Sequence, residues 1–250
     1  MGVHVSTAAA MLTPADRVVM ISGANRGIGL AIAKRLAADG YRLSLGARDM
    51  NALTRATAAF DPVRTLRARF DAADLATAIS WTEATVARFG AVDALVNNAG
   101  ILRQLDFETG SEADLDAMWQ TNVKAPFMLI RAALPQLKRS GHGRIVNIAS
   151  TDAKRFRDNS VSVGYAMSKH ALLAMSHAAK FAGYDAGVRV TALCPGAVDT
   201  DLIAGIPGVT AAASRLSPDT IAATVAFVLS LPNTAVVAEL PINARLESTM

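Results

Sequence analysis

The chain has 250 residues, 52% of them hydrophobic and 18% charged, with a formal net charge of +4, which supports one sizeable core and excludes a chain that is mainly disordered. Apolar runs such as Ile221 to Leu231, stopped by Pro232, fall short of the roughly 18–20 residues of a bilayer span, so no membrane partner is expected. The 25 Lys and Arg are scattered singly, which argues against nucleic acid as a partner, and the lone Cys194 excludes an internal disulfide and a cysteine-type metal site.

The first fifteen residues carry no Lys or Arg ahead of their small apolar run, so they lack the positive leader of a secretory signal. They read as a loose tail before one domain over residues 16–250, and a cytoplasmic location is expected. Apolar runs then alternate with amphipathic stretches. Val18 to Ile21 predicts a strand, Gly27 to Ala38 a helix, Tyr41 to Ala47 a strand and Met50 to Phe60 a helix. Val63 to Phe70 predicts a strand, Ala72 to Phe89 a helix, Val92 to Asn97 a strand, and Glu112 to Lys138 a helical region broken near Pro126. Strands follow at Arg144 to Ala149, Val188 to Leu193 and Ala235 to Leu240, with helices at Gly164 to Ala182 and Pro218 to Leu231 between them.

Strands that are apolar almost throughout, each followed by a helix, predict a parallel sheet covered on both faces by right-handed crossovers. The fold class is therefore α/β, a single doubly wound Rossmann-type domain of about seven strands. The irregular stretches Asp152 to Val163 and Asp199 to Ser217 follow strand C-termini, where open α/β sheets bind ligands.

The first strand runs into Ser22-Gly23-Ala24-Asn25-Arg26-Gly27-Ile28-Gly29 and then a helix. Glycines at such a turn let the backbone approach a pyrophosphate, and the helix N-terminus offers free N–H donors; tight helix–strand packing alone is the alternative. An acid at the end of the second strand would hold the ribose hydroxyls of NAD and repel the 2′-phosphate of NADP. Here that strand ends Leu45-Gly46-Ala47-Arg48. Arg48 and Arg26 would present guanidinium groups suited to a phosphate, which favours NADP over NAD. Asp49 competes as the ribose acid but more naturally caps the helix from Met50.

Tyr165 and Lys169 lie four residues apart, so on a helix they share a face. A phenol with a pKa near 10 must shift by about two to three units to act as a base at neutral pH, or about 3–4 kcal/mol, and a cation about 4 Å away supplies roughly that much. The spacing also arises by chance on solvated helix faces. Position raises its weight, because the preceding strand delivers Ser150, whose hydroxyl can polarise a substrate carbonyl, although it can equally be an ordinary turn serine.

With Asn97-Asn98-Ala99-Gly100, Asn122 in Thr121-Asn122-Val123, and Pro195-Gly196 followed by Val198 and Thr200, the chain from about Arg17 to Leu240 resembles the short-chain dehydrogenase/reductase family. The resemblance implies an oxidoreductase that interconverts an alcohol and a carbonyl compound by hydride transfer. Tyr165 would be the general acid/base, and Ser150 would orient the carbonyl oxygen. Lys169 would lower the Tyr165 pKa and hold the nicotinamide ribose, and Asn122 would position a water on a proton relay. Asp71 matches a position contacting adenine and Asn98 one beside the adenine ribose, or either is a local cap or turn residue. The resemblance also implies a homodimer or homotetramer built on the long helices.

Two departures stand out. Ser150 lies fifteen residues before Tyr165, which implies a short insertion in Thr151 to Gly164, and the ending Val236 to Asn243 resembles the serine-dehydrogenase-like NADP branch. Arg103, Arg155, Phe156 and Arg157 are candidates for the pocket and would suit an anionic substrate, or they are solvated loop residues. The stretch with Gly205, Pro207 and Gly208 is a candidate lid or oligomer contact. The alternative to an enzyme is an NADPH sensor without turnover, which the presence of both Tyr165 and Lys169 disfavours.

Overall fold

Along the first strand, Val19 and Ile21 pack into one apolar cluster and Met20 into another, so a segment that is apolar at every position buries both of its faces. The structure, a computed structural model, describes residues 10–204, 206 and 212–244. Among these residues one sheet joins β1 (Val18–Ser22), β2 (Arg42–Ala47), β3 (Thr65–Arg69), β4 (Ala94–Asn97), β5 (Arg144–Ile148), β6 (Arg189–Pro195) and β7 (Glu239–Ile242). The order is β3-β2-β1-β4-β5-β6-β7 and every neighbouring pair is parallel.

Helices α1 (Gly27–Ala38), α2 (Met50–Ala56) and α7 (Pro218–Ser230) cover one face, where Ile32, Leu36, Leu53, Ile221 and Val225 join Val19 and Ile21 in one core. On the other face, Trp81 of α3 (Ala76–Phe89), Leu129 of α5 (Ala125–Arg139) and Ala179 of α6 (Val163–Gly183) pack on Met20, Leu95 and Ile145. The shorter α4 (Glu112–Trp119) packs against α6. Each fully buried aliphatic side chain contributes about 1.5–3 kcal/mol, so the two cores together hold the sheet. The doubly wound α/β class read from the sequence is the one observed.

Below the sheet two buried arginines tie α7 to the strands. Arg17 donates to the Leu229 carbonyl at 2.8 Å, and Arg144 donates to the Leu231 carbonyl at 2.6 Å. Burial, with Arg17 nearby, lowers the Arg144 pKa to about 10. The Leu12 N–H donates to the Ser230 carbonyl at 2.7 Å, so the chain ahead of β1 is docked here from Leu12 onward. Among the described residues no helix is long and apolar enough to cross a membrane.

Several boundaries differ from the sequence expectation. The second helix stops at Ala56, where the Thr57 hydroxyl turns back onto the Leu53 carbonyl at 2.8 Å. The third starts at Ala76 because the Asp71 and Asp74 carboxylates bind the Ala73 and Ala76 N–H groups in a preceding turn. Pro126 does not break the helical region; it sits in the first turn of α5, and the irregularity lies before it as a π-helical turn, Gln120–Lys124, through which the helical backbone continues. The last strand is Glu239–Ile242 rather than Ala235 to Leu240. It pairs only with β6, so Pro241 is tolerated on this edge.

Candidate active site

The chain runs from β1 outward to β3 and then returns to β4 on the other side of β1, which leaves a crevice beyond the strand C-termini. A cleft of about 400 Å³ occupies it. Asn98, just after β4, braces the crevice by donating to the Ser22 and Gly23 carbonyls at 2.9 and 3.3 Å. The Ser22 hydroxyl accepts from the Asn98 and Ala99 N–H groups, each at 3.0 Å.

Gly23, Asn25, Arg26, Gly27 and Ile28 line one end of the cleft. Gly23 and Gly27 have φ of +67° and +53°, a region that side chains with a Cβ rarely adopt. Unlike α2, α4, α6 and α7, α1 begins without a side-chain cap, and its first turn carries no acid. Free N–H donors and the helix dipole therefore meet the cleft and suit an anion. Gly29 does not line the cleft. A Cβ there would stand 2.3 Å from the Gly23 carbonyl oxygen, so this glycine serves close packing.

Arg48 is exposed at the rim, and the Asp49 carboxylate accepts from the Ala52 N–H at 2.8 Å, capping α2 as expected. Arg26 pairs with Asp201 at 3.2 Å, with the two side chains 69% and 75% exposed; such a pair is worth little in solvent. Asp71 accepts from Arg69 at 3.2 Å and from the Ala73 N–H at 3.1 Å. Partial burial raises its carboxyl, but these bonds and the charges of Arg69 and Arg48 hold it below its ordinary value.

At the other end, β5 delivers Ser150 and the N-terminal half of α6 presents Tyr165 and Lys169, all three buried and lining the cleft. The Ser162 hydroxyl caps α6 by accepting from the Tyr165 N–H at 3.3 Å, which sets where the tyrosine turn begins. Ser150 and Tyr165 share one wall of the cleft. Asn122 lies under the cleft rather than in its lining, within the π-helical turn. Its amide accepts from the Ile101 N–H and donates to the Ile101 carbonyl, both at 2.9 Å, and donates to Ser168 at 3.0 Å. Gly100 is small where these parts converge: a Cβ would lie 3.4 Å from Asn122 Oδ1 and 3.6 Å from Lys169 Nζ.

The ammonium of Lys169 donates to the Ile148 carbonyl at 2.8 Å and lies 5.5 Å from the Tyr165 ring centroid. The Tyr165 pKa is raised, first by burial and then by the Asp152 charge, with only the Ser150 hydrogen bond opposing. The phenol is thus proton-bearing at neutral pH. Burial lowers the Lys169 pKa to about 8, with Cys194 and Asp152 opposing.

A cation depressed in this way costs stability while it stays charged below about pH 8, and the cost fades as pH rises toward the ordinary value of 10.5. Lys169→Met is therefore expected to raise stability at pH 7 by about 2 kcal/mol, after allowing for the bond lost to Ile148. Denaturant titrations at pH 7 and above pH 10 check this; the gain shrinks at the higher pH.

The loop after β6 brings Pro195, Gly196, Val198 and Thr200 to the cleft. Of the loop candidates, only Arg157 lines the cleft; Arg103 faces Asp114 at 3.9 Å and Phe156 is 51% exposed. Gly205, Pro207 and Gly208 lie outside the described residues. Sequence reading does not single out Asp152, which lines the cleft two residues after Ser150; its place at a strand C-terminus was the available signal. Among the described residues no group of three or more His, Cys, Asp or Glu could hold a metal ion.

The short chain dehydrogenase family model matches residues 17–207. Agropine synthesis reductase of Rhizobium rhizogenes is 39% identical over 223 residues, which cover 88% of this chain and 50% of that protein. The chain thus spans half the length of this curated relative. An alcohol dehydrogenase from the archaeon Thermococcus sibiricus, solved with 5-hydroxy-NADP, is 32% identical with a TM-score of 0.84 over 92% of this chain and 99% of that one. A 3-ketoacyl-(acyl-carrier-protein) reductase of Brucella melitensis, solved with NADH, is 29% identical with a TM-score of 0.82 over 92% and 98% of the two chains.

Proposed function

Since the chain belongs to the short chain dehydrogenase family, we propose that it interconverts an alcohol and a carbonyl compound with NADP, using Tyr165 as general acid/base. The observation that carries this reading is the burial of Ser150, Tyr165 and Lys169 on one wall of a cleft that also meets the uncapped N-terminus of α1. The residues fit a dinucleotide. Left-handed Gly23 and Gly27 allow close backbone approach to phosphate, and Asn25, Ile28, Ala99, Gly100, Pro195, Gly196 and Val198 border the same trough. Relatives solved with 5-hydroxy-NADP and with NADH support a nicotinamide cofactor without choosing between the two.

The preference for NADP rests on this chain's own charges. Asp49 is committed to capping α2, while Arg48 and Arg26 reach the rim where a 2′-phosphate would sit. The exposed Asp201 is weakly held and yields readily to a phosphate. Asp71 and Asn98 would border the adenosine, Asp71 through its carboxylate and Asn98 through the side of its clamp on Ser22 and Gly23.

When bound, the nicotinamide supplies or accepts the hydride. Tyr165, kept as a phenol by burial, gives its proton to the carbonyl oxygen, and Ser150 donates a hydrogen bond to the same oxygen. Lys169, anchored on Ile148, presents its ammonium to a ribose hydroxyl and, through a water held near Asn122 and Gly100, returns a proton to the phenol. Exposed Phe127 on α5 and Met167 and Phe181 on α6 support a homo-oligomer built on these helices.

A panel of neutral aldehydes, ketones and keto acids, assayed by loss of reduced nicotinamide absorbance, tests the reading. Turnover with NADPH is expected for at least one class. Tight NADPH binding with no turnover across the panel would support the sensor instead.

A further inference from the structure

Ser168 stands on α6 between the two residues that this helix presents to the cleft, three positions after Tyr165 and one before Lys169, but does not itself line the cleft. Its side chain is buried, as is that of Asn122 in the π-helical turn. The Ser168 hydroxyl donates to the Tyr165 main-chain carbonyl at 2.7 Å and accepts from Asn122 Nδ2 at 3.0 Å.

The polarity of these bonds is forced. A carbonyl only accepts, so the one hydrogen of the Ser168 hydroxyl goes to Tyr165, and Ser168 meets Asn122 as an acceptor alone. The Nδ2 end of the amide is therefore turned to Ser168. Ile101 agrees, because its N–H donates to Asn122 Oδ1 and its carbonyl accepts from Nδ2, both at 2.9 Å. Both Nδ2 hydrogens are then spent, and Oδ1 keeps one lone pair. That oxygen and Lys169 Nζ stand 3.4 and 3.6 Å from the point where a Cβ on Gly100 would lie, so they border one gap that the glycine leaves open. The Ile148 carbonyl takes only one of the three ammonium hydrogens.

We propose that Ser168 is a positioning residue for proton return: it holds the Asn122 amide with Oδ1, not Nδ2, toward Lys169. A water in the gap then donates to Oδ1 and turns a lone pair to the ammonium. After each reduction the Tyr165 phenolate takes a proton from Lys169, Lys169 takes one from this water, and the water regains one from solvent. With the amide loosened, that water loses its fixed acceptor and the return slows. The inference rests on the reading of Tyr165 as the acid that Lys169 recharges.

Side-chain amide exchange in protein labelled with ¹⁵N-asparagine tests the first link, with Asn122→Asp assigning the Asn122 signal by its loss. In Ser168→Ala the Asn122 Nδ2 hydrogens are expected to exchange about tenfold faster, since one of them loses its acceptor in a buried site. The second link is tested with NADPH-loaded enzyme. A single turnover of reduction spends the proton that Tyr165 already carries and is expected to slow by less than about twofold, whereas steady-state kcat falls about tenfold, so an initial burst of NADPH oxidation appears. A merely structural role would slow both rates alike. If Ser168→Ala does not fold, Ser168→Cys, whose sulfur is a weak acceptor, carries the same expectations. Unchanged exchange in a folded variant, an unchanged kcat, or equal slowing of both rates overturns the proposal. Because exchange needs no turnover, a wild type inactive on the carbonyl panel counts against the oxidoreductase reading alone.

Discussion

Tyr165→Phe is expected to lower turnover by a factor of about 10³ while leaving NADPH affinity within about twofold. The substitution removes one oxygen from a buried wall of the cleft and keeps the ring that packs there. With its pKa raised by burial and by Asp152, the phenol at neutral pH is the proton-bearing form that carbonyl reduction consumes. No neighbour replaces it: Ser150 is a far weaker acid, and the Lys169 ammonium is turned toward the Ile148 carbonyl. Stability should change by no more than about 1 kcal/mol, the worth of one hydrogen bond. Steady-state rates together with NADPH fluorescence titration check all three expectations. A variant that keeps near-normal turnover would remove Tyr165 from the mechanism.

The second large effect is expected at the far end of the cleft. Arg48→Asp replaces an exposed cation by an anion at the rim where a 2′-phosphate is proposed to sit. Loss of attraction and gain of repulsion together shift discrimination by about 3–4 kcal/mol after screening, or about 10²–10³ in the NADPH to NADH ratio of kcat/KM. The loss falls on NADPH, whereas NADH, with no 2′-phosphate, keeps its rate or improves. Because Asp49 is bound to the Ala52 N–H, the new acid is free to take the ribose hydroxyls. Measuring kcat/KM for both cofactors checks this, and an unchanged ratio would take Arg48 out of cofactor selection.

The sheet was legible because each inner strand is buried on two faces, and continuous apolar runs such as Val18 to Ile21 record that burial directly. At β7 the record fails. An edge strand with one neighbour and a proline leaves little pattern, and the apolar run at Ala235 lies ahead of the residues that pair. The π-helical turn at Gln120–Lys124 was hidden for a different reason, since its residues suit an α-helix equally well.

Within the site, spacing along one element predicted which side chains share a wall, and Tyr165 and Lys169 do share one. Spacing does not determine where a flexible four-carbon stem ends. Lys169 Nζ goes to a main-chain carbonyl of β5, a partner far away in sequence. The same limit explains Arg103, drawn away by Asp114, and Asp152, whose influence depends on how the turn after β5 faces α6.

The most direct measurement is a crystal structure of the protein with oxidised cofactor and a carbonyl compound that resists reduction. The account predicts the Tyr165 and Ser150 hydroxyls both within hydrogen-bond distance of the carbonyl oxygen, with the nicotinamide against the carbonyl carbon. A carbonyl oxygen bound elsewhere, with the Tyr165 hydroxyl turned from it, would contradict the account.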